Sequence, residues 1–377
     1  MLDRLFCADY HADRTAFVSA VQAFAVRSGR RLQLQSHSVD EADDLTVTAA
    51  LLEAERPRRV FVLSIGIHGV EGYAGSAIAR HLLAGLLDRI DQRDTGILLV
   101  HALNPYGFAN FVRVNANNID LNRNVEALGE ALFATDSHAY SALTPLLAPQ
   151  RRRGPEGIER ARYQSQLVAA LVRHGRGKLR QASLAGQFID PRGIFYGGQR
   201  VEPEIGFFQR LYESLSSEYE EVLLTDLHTG YGAWGEAYPL FGRADSIGLR
   251  ALIDGGVTDA SGQDKTYTVY GDLVGYCFKT AKRLRPQGVF NGLVIELGTH
   301  GLSMLDQARD LYTVVSENQA RQHGVSDERA AAAAREKFRE MFYPSDRAWR
   351  DRAVRVGALA VERVLASREY LSPLSGS

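Results

Sequence analysis

Cysteine is nearly absent from this chain: Cys7 and Cys277 are the two among 377 residues. Two thiols cannot build a disulfide framework, so the fold must be held by a core, and both read as free structural side chains. No apolar run approaches the ~18 residues that a membrane-spanning helix needs. Residues 1–14 carry Asp3, Asp9 and Asp13 and contain no apolar stretch of signal-peptide length. A net charge of −1 offers no basic surface to nucleic acid or to an anionic membrane. No internal repeat and no low-complexity domain is visible. Together these absences predict a soluble, cytoplasmic protein without nucleic-acid or membrane partners.

What the chain does have is an ordinary globular composition, 45% hydrophobic and 24% charged, with length for a large core. Residues 11–29 space Phe17, Val21 and Phe24 as one face of a helix. The patterns at 32–39, 44–52, 60–67, 96–103, 221–227 and 292–297 predict strands, and 265–271 is a further candidate. Helices are expected at 74–90, 156–176 and 200–215 and through the last sixty residues, with a frayed tail at 372–377. The irregular stretch 125–200 reads as an insertion or cap, and Arg151-Arg152-Arg153 within it as a solvated face. Buried strands alternating with helices predict an α/β fold: a mixed, mostly parallel central sheet with helices on both faces, forming one domain over 1–377.

Such sheets collect ligands at the carboxyl ends of their strands. His68, Asn104, His228 and Glu296 all fall at or near predicted strand ends. His68 and Glu71 stand three residues apart in a glycine-rich turn, Gly66-Ile67-His68-Gly69-Val70-Glu71-Gly72. An imidazole and a carboxylate presented together are two parts of a catalytic zinc site, which takes three protein ligands and keeps one position open. A lone His-x-x-Glu is a weak signal in a chain with ten histidines. The distant His228, leaving a buried strand in Thr225-Asp226-Leu227-His228-Thr229-Gly230, is the candidate third ligand. His11 and His37 fall in surface elements, His81 in a helix and His101 inside a strand. His300 is a minor candidate.

Between these groups lies a loop dense in amides and arginines, Arg113-Val114-Asn115-Ala116-Asn117-Asn118-Ile119-Asp120-Leu121-Asn122-Arg123-Asn124. Asparagines favour turns, so it can be read as purely structural. Arg113 and Arg123 could also clamp a carboxylate or an oxyanion, and Asp120 could fix the tautomer of a metal-bound histidine. Glu296, at the end of an apolar strand, is either half of a structural salt bridge or a general base beside the metal.

In order and in kind these segments resemble the M14 zinc carboxypeptidase family, whose wider clan includes the aspartoacylase and succinylglutamate desuccinylase branch. His68 and Glu71 are similar to that family's first two zinc ligands and His228 to its third. Asn104-Pro105-Tyr106-Gly107 is similar to its Asn-Pro-Asp-Gly turn, with Tyr106 in place of Asp. Asp120-Leu121-Asn122-Arg123-Asn124 matches its Asp-x-Asn-Arg-Asn element. The resemblance covers about residues 55–305, and the chain looks most like the bacterial DUF2817 group within it. It implies one zinc ion per chain on His68, Glu71 and His228, Glu296 as general base, and Arg113 polarising the scissile carbonyl. Asn122 and Arg123 would hold a substrate carboxylate. Tyr276, or Tyr270 as second choice, would be the closing tyrosine, and Phe278, Lys279, Lys282 and Arg283 would line the pocket wall. The implied activity is hydrolysis of an amide next to a free carboxylate in a small peptide. An N-acyl amino acid amidohydrolase remains open, since Asp-Leu-His recurs in the aspartoacylase branch. A non-catalytic binding module is a third reading, disfavoured by the intact ligands, base and arginines.

Overall fold

The computed structural model describes residues 1–125, 138–241 and 271–372. Among them one seven-stranded sheet runs in the order β1-β2-β4-β3-β5-β7-β6. The strands are β1 (Leu32–Asp40), β2 (Leu45–Leu52), β3 (Arg59–Ile65), β4 (Thr95–His101), β5 (Glu221–Ala233), β6 (Ala237–Phe241) and β7 (Val289–His300). The four central strands β4, β3, β5 and β7 pair in parallel. The pairings of β1 with β2, β2 with β4 and β6 with β7 are antiparallel. The expected mixed α/β sheet is therefore present, parallel where it is most buried.

Alternation along the central strands sends side chains to two cores. Phe61, Leu63 and Ile65 of β3 join Leu223 and Leu227 of β5 beneath α1 (Tyr10–Ser28), α2 (Gly72–Leu83) and the C-terminal helix. Val60 and Val62 join Val222 and Leu224 on the other face. Buried on both faces, these strands read as continuous apolar runs, which is why the sequence exposes them so clearly. Each fully buried aliphatic or aromatic side chain contributes about 1.5–3 kcal/mol. Helix α1 starts at Asp9, whose carboxylate accepts the Ala12 N–H, and stops at Gly29 in the left-handed region, φ 71°.

Continuing along the chain, α3 (Pro105–Asn110) is short, α4 (Glu156–Leu184) is long and interrupted at Gly175, and α5 (Pro203–Glu218) precedes β5. After β6 come α6 (Leu273–Leu284), α7 (Met304–His323), α8 (Glu328–Phe342) and α9 (Arg347–Ser367). Helices α5 and α6 cover the second face, so the sheet is covered on both. A third cluster joins α4, α7 and α8 around Tyr140, Tyr163, Phe338 and Phe342. Among the described residues no helix is long and apolar enough to cross a membrane.

Several expectations need correction. The helix expected over 74–90 ends at Leu83, with a separate 3-10 turn at Leu86–Arg89 after Gly85. Strand β5 continues past residue 227 to Ala233, because β7 is long enough to pair with the extension. Strand β6 and helix α6 were not foreseen. The Arg triplet is not a uniformly solvated face: Arg153 is 1% exposed, ion-paired with Glu156 and bonded to the Ala330 carbonyl of α8. The candidate strand at 265–271 lies, except for Gly271, outside the described residues, as do Tyr270 and residues 373–377.

Candidate metal centre

His68 reaches the carboxyl edge of the sheet because glycine permits the turn after β3. Gly66 adopts φ 68°, which lets the chain leave the strand. Gly69 has no room for a side chain, since a Cβ there would sit 2.0 Å from the Gly107 carbonyl carbon. In that close approach Gly69 N donates to Arg113 O at 3.1 Å and Val70 N to Val112 O at 3.0 Å. Asn104 fixes the opposing loop: its Oδ1 accepts from Gly107 N at 2.8 Å and its Nδ2 donates to Arg113 O at 3.0 Å. The Asn-Pro-Tyr-Gly segment is thus the asparagine-capped start of α3, and it places Arg113 beside the His68 turn.

His228 lies within β5, directly opposite Glu296 of β7 in the strand register. It does not leave the strand there, as expected, but shares a face with Asp226 two residues earlier. Parallel pairing of β3 with β5 then brings the end of β3 and its turn to this point.

The three predicted ligands converge. His68, Glu71 and His228 are 3%, 2% and 3% exposed, and their donor atoms lie within 4.8 Å of one another. His68 Nδ1 is 3.0 Å from Glu71 Oε1, and His228 Nδ1 is 3.1 Å from Glu71 Oε2. The two Nδ1 atoms are 3.0 Å apart, with the rings inclined at 71°. Thr229 N donates to Glu71 Oε2 at 3.1 Å. His228 Nε2 meets Asp226 Oδ2 at 2.7 Å.

The outer nitrogen of His68 has two claimants. Asp120 Oδ1 is 3.3 Å from Nε2, and Arg113 Nη2 is 2.6 Å from it. The nitrogen serves one at a time. The shorter contact favours acceptance from Arg113, which places the ring proton on Nδ1, toward Glu71. A cation on Nδ1 would displace that proton and turn an Nε2–H toward Asp120. Arg113 also bonds Asp120 Oδ2 through Nε at 3.0 Å and Glu71 Oε1 through Nη1 at 3.4 Å.

The electrostatics follow from these contacts. Burial pushes the Glu71 carboxyl up, but His68 and His228 outweigh it and hold the group well below its ordinary range. Burial likewise opposes Asp120, and Arg113, His68 and Arg123 together hold it low. Burial pulls His228 down, and the Asp226 and Glu71 carboxylates override it and raise the imidazole well above its usual value. Glu296 is different: burial pushes it up to about 8, against the attraction of His228. Its Oε2 is buried without a hydrogen-bond partner among the described residues.

Two imidazole nitrogens and a carboxylate are the donor set of a catalytic zinc site. An orphaned carboxylate oxygen on Glu296 and a surplus of acid groups around the three ligands fit the same reading.

The other predicted residues are placed as follows. Asn122 Oδ1 accepts from Leu273 N at 2.9 Å, and Arg123 donates to the Asn122 and Leu184 carbonyls, each at 2.8 Å. Both are nearly buried, in a loop that Tyr196 O also holds by accepting from Asp120 N at 2.8 Å. Tyr276 calls for correction: it is 4% exposed, packed into the core near Tyr212 with ring centres 6.4 Å apart. A closing motion would have to pull it from that core. Of the expected pocket wall, Arg283 pairs with Glu213 and Lys282 donates to the Gly288 carbonyl, both in exposed contacts. His300 pairs with Asp310 and stands apart from the three ligands.

Two residues near the site were not foreseen in these roles. Asp226 was noticed only as part of an Asp-Leu-His string, and the period of two that puts residues 226 and 228 on one strand face was the available signal. Phe195, from the 125–200 segment, adopts φ 56° and lies under Arg113, whose Cζ is 5.2 Å from the ring centre. No sequence signal marks it.

A family model described as "Protein of unknown function (DUF2817)" matches residues 6–356. A comparison with curated proteins finds no match. Among solved structures, bovine thrombin-activatable fibrinolysis inhibitor in complex with tick carboxypeptidase inhibitor is similar at 9% identity and TM-score 0.48, covering 94% of this chain and 95% of that one. Carboxypeptidase A from Helicoverpa armigera is similar at 16% identity and TM-score 0.43, over 83% of this chain and 72% of that one. A metallo-carboxypeptidase from Burkholderia cenocepacia is similar at 12% identity and TM-score 0.43, over 94% and 68%.

Proposed function

The chain belongs to the DUF2817 family, and we propose that it is a zinc-dependent hydrolase that cleaves an amide bond next to a free carboxylate. The supporting observation is the convergence of His68 Nδ1 and His228 Nδ1 on the Glu71 carboxylate at a buried strand edge. In this reading His68, Glu71 and His228 hold one zinc ion. Such an ion supplies Lewis acidity and lowers the pKa of water to about 7.

The protein groups then divide the work. Glu296, opposite His228 and with a buried oxygen awaiting a partner, accepts the proton of the attacking water and delivers it to the leaving amine. A cation beside it favours the carboxylate form that this role needs. Arg113, a permanent charge at the rim of the ligand cluster, stabilises the oxyanion that develops on the carbonyl. In this reading Asn122 and Arg123 hold the substrate carboxylate, and to engage it they must exchange some of the backbone contacts they now make.

Two substrate classes fit this arrangement. The first is a short peptide with a free carboxyl terminus. The second is an N-acyl amino acid, favoured by the Asp226-Leu227-His228 string. Zinc-loaded protein assayed against dipeptides and N-acyl amino acids separates them. The proposal expects turnover of at least one class, abolished by His68→Ala together with bound zinc. An unchanged zinc content in that variant would sink the site.

A further inference from the structure

We infer that Asp226 is a positioning residue for the metal centre: its carboxylate holds the His228 ring so that Nδ1 points at the ion. This rests on the zinc reading and goes beyond it, because neither the ligand spacing nor the family resemblance assigns Asp226 a role. The geometry is specific. Residues 226 and 228 lie on one face of β5, and Asp226 Oδ2 is 2.7 Å from His228 Nε2. An imidazole whose Nε2–H is donated to a carboxylate leaves Nδ1 as the atom that binds a cation once its own proton is displaced. That atom faces Glu71 Oε2 at 3.1 Å and His68 Nδ1 at 3.0 Å. At His68 the corresponding carboxylate, Asp120 Oδ1, stands farther off, 3.3 Å from Nε2, and Arg113 Nη2 occupies that nitrogen at 2.6 Å.

The cost of the arrangement argues that it is not incidental. Asp226 is 0% exposed, on a central strand with both neighbours paired. Its Oδ1 has no hydrogen-bond partner among the described residues, and His228 is the one partner its carboxylate has there. A carboxylate buried with one hydrogen bond is expensive to keep. An apolar residue at this position would serve the core better. The carboxylate is explained if the ring it orients must present a fixed lone pair, and it also makes that ring a stronger ligand. Register places Ser64 of β3 and Val294 of β7 beside Asp226, so neither neighbouring strand sets a cation opposite it.

The test uses the full chain and zinc alone. Zinc affinity is measured by chelator competition for the wild-type protein, Asp226→Asn and Asp226→Ala, with circular dichroism and apo-protein melting recorded for each. Losing such an outer partner typically lowers metal affinity about 10- to 100-fold. That loss is expected in both variants, with the fold retained. A residue that served packing alone would lower the melting temperature and leave the affinity of the folded protein unchanged. Wild-type zinc binding with affinity within twofold in both variants overturns the inference and leaves the zinc site standing. Absence of zinc binding by the wild-type chain overturns both. Should these variants not fold, Asp226→Glu keeps the charge and displaces its oxygens by one methylene. A tenfold loss there supports the positioning role, and an unchanged affinity refutes it.

Discussion

The fold buries histidine against carboxylate in two places, and they are built differently. Near the N-terminal helix, Asp13 takes Arg80 Nη2 on one oxygen and His101 Nε2 on the other, each at 2.9 Å. His101 is fully buried and stacks on Phe17 with ring centres 4.7 Å apart. One carboxylate there meets one guanidinium and one imidazole, so the charge closes without help. At the carboxyl edge, Glu71, Asp120, Asp226 and Glu296 gather around His68 and His228, with the guanidinium of Arg113 in contact and that of Arg123 nearby. With Glu296 protonated, three carboxylates face two permanent cations, the raised His228 imidazole carries the balancing proton, and two ring nitrogens point at one another. A divalent cation on those nitrogens would take the place of that proton and separate the two rings' facing atoms. Burial and a carboxylate partner therefore do not by themselves mark a metal ligand. What sets the second cluster apart is two ring nitrogens that converge on one shared carboxylate.

The comparison can be broken at several points. The largest effect is expected from Glu296→Gln, which should lower turnover about 10²- to 10⁴-fold, the range of a lost general base, while zinc stays stoichiometric by elemental analysis. Full turnover in that variant would remove Glu296 from the chemistry. Next, Arg113→Ala should cost about 10²- to 10³-fold in kcat, as expected for a lost oxyanion partner, again with zinc retained. An effect confined to KM would mean that Arg113 only binds substrate. His101→Gln, in the contrasting cluster, should leave zinc content unchanged and lower stability by about 1–3 kcal/mol, because Asp13 loses a buried partner. Denaturant melts read that loss, and a loss of zinc there would erase the distinction between the two clusters. The smallest effect is on stability through chelation. At zinc 100-fold above Kd, removing the metal should withdraw about 2.7 kcal/mol of stabilisation, visible as a lower Tm.

The central strands were legible in the sequence because strands buried on both faces leave unbroken apolar runs, as at Val60-Phe61-Val62-Leu63. The turn at His68 was legible because its glycines are required by backbone contact. Strand β6 was not. It is five residues long, contains Pro239 and, among the described residues, pairs with β7 alone, so it carries little periodicity. Arg153 was misjudged because its partners, Glu156 and the Ala330 carbonyl, come together only when α4 meets α8. Tyr276 has a similar explanation: the family resemblance suggested it as a site residue, whereas the apolar face of α6 turns it toward Tyr212. Asp226 shows the reverse. Its spacing from His228 was in plain view, but a role for it emerges only once the strand face and the buried 2.7 Å contact are known.

The most direct test is the metal content of the purified wild-type chain alongside His68→Ala, His228→Ala and His101→Gln. One zinc per chain in the wild type and in His101→Gln, with loss in the other two, is the predicted result. A folded wild-type protein that takes up no zinc, or one that keeps it without His68 and His228, would contradict the account.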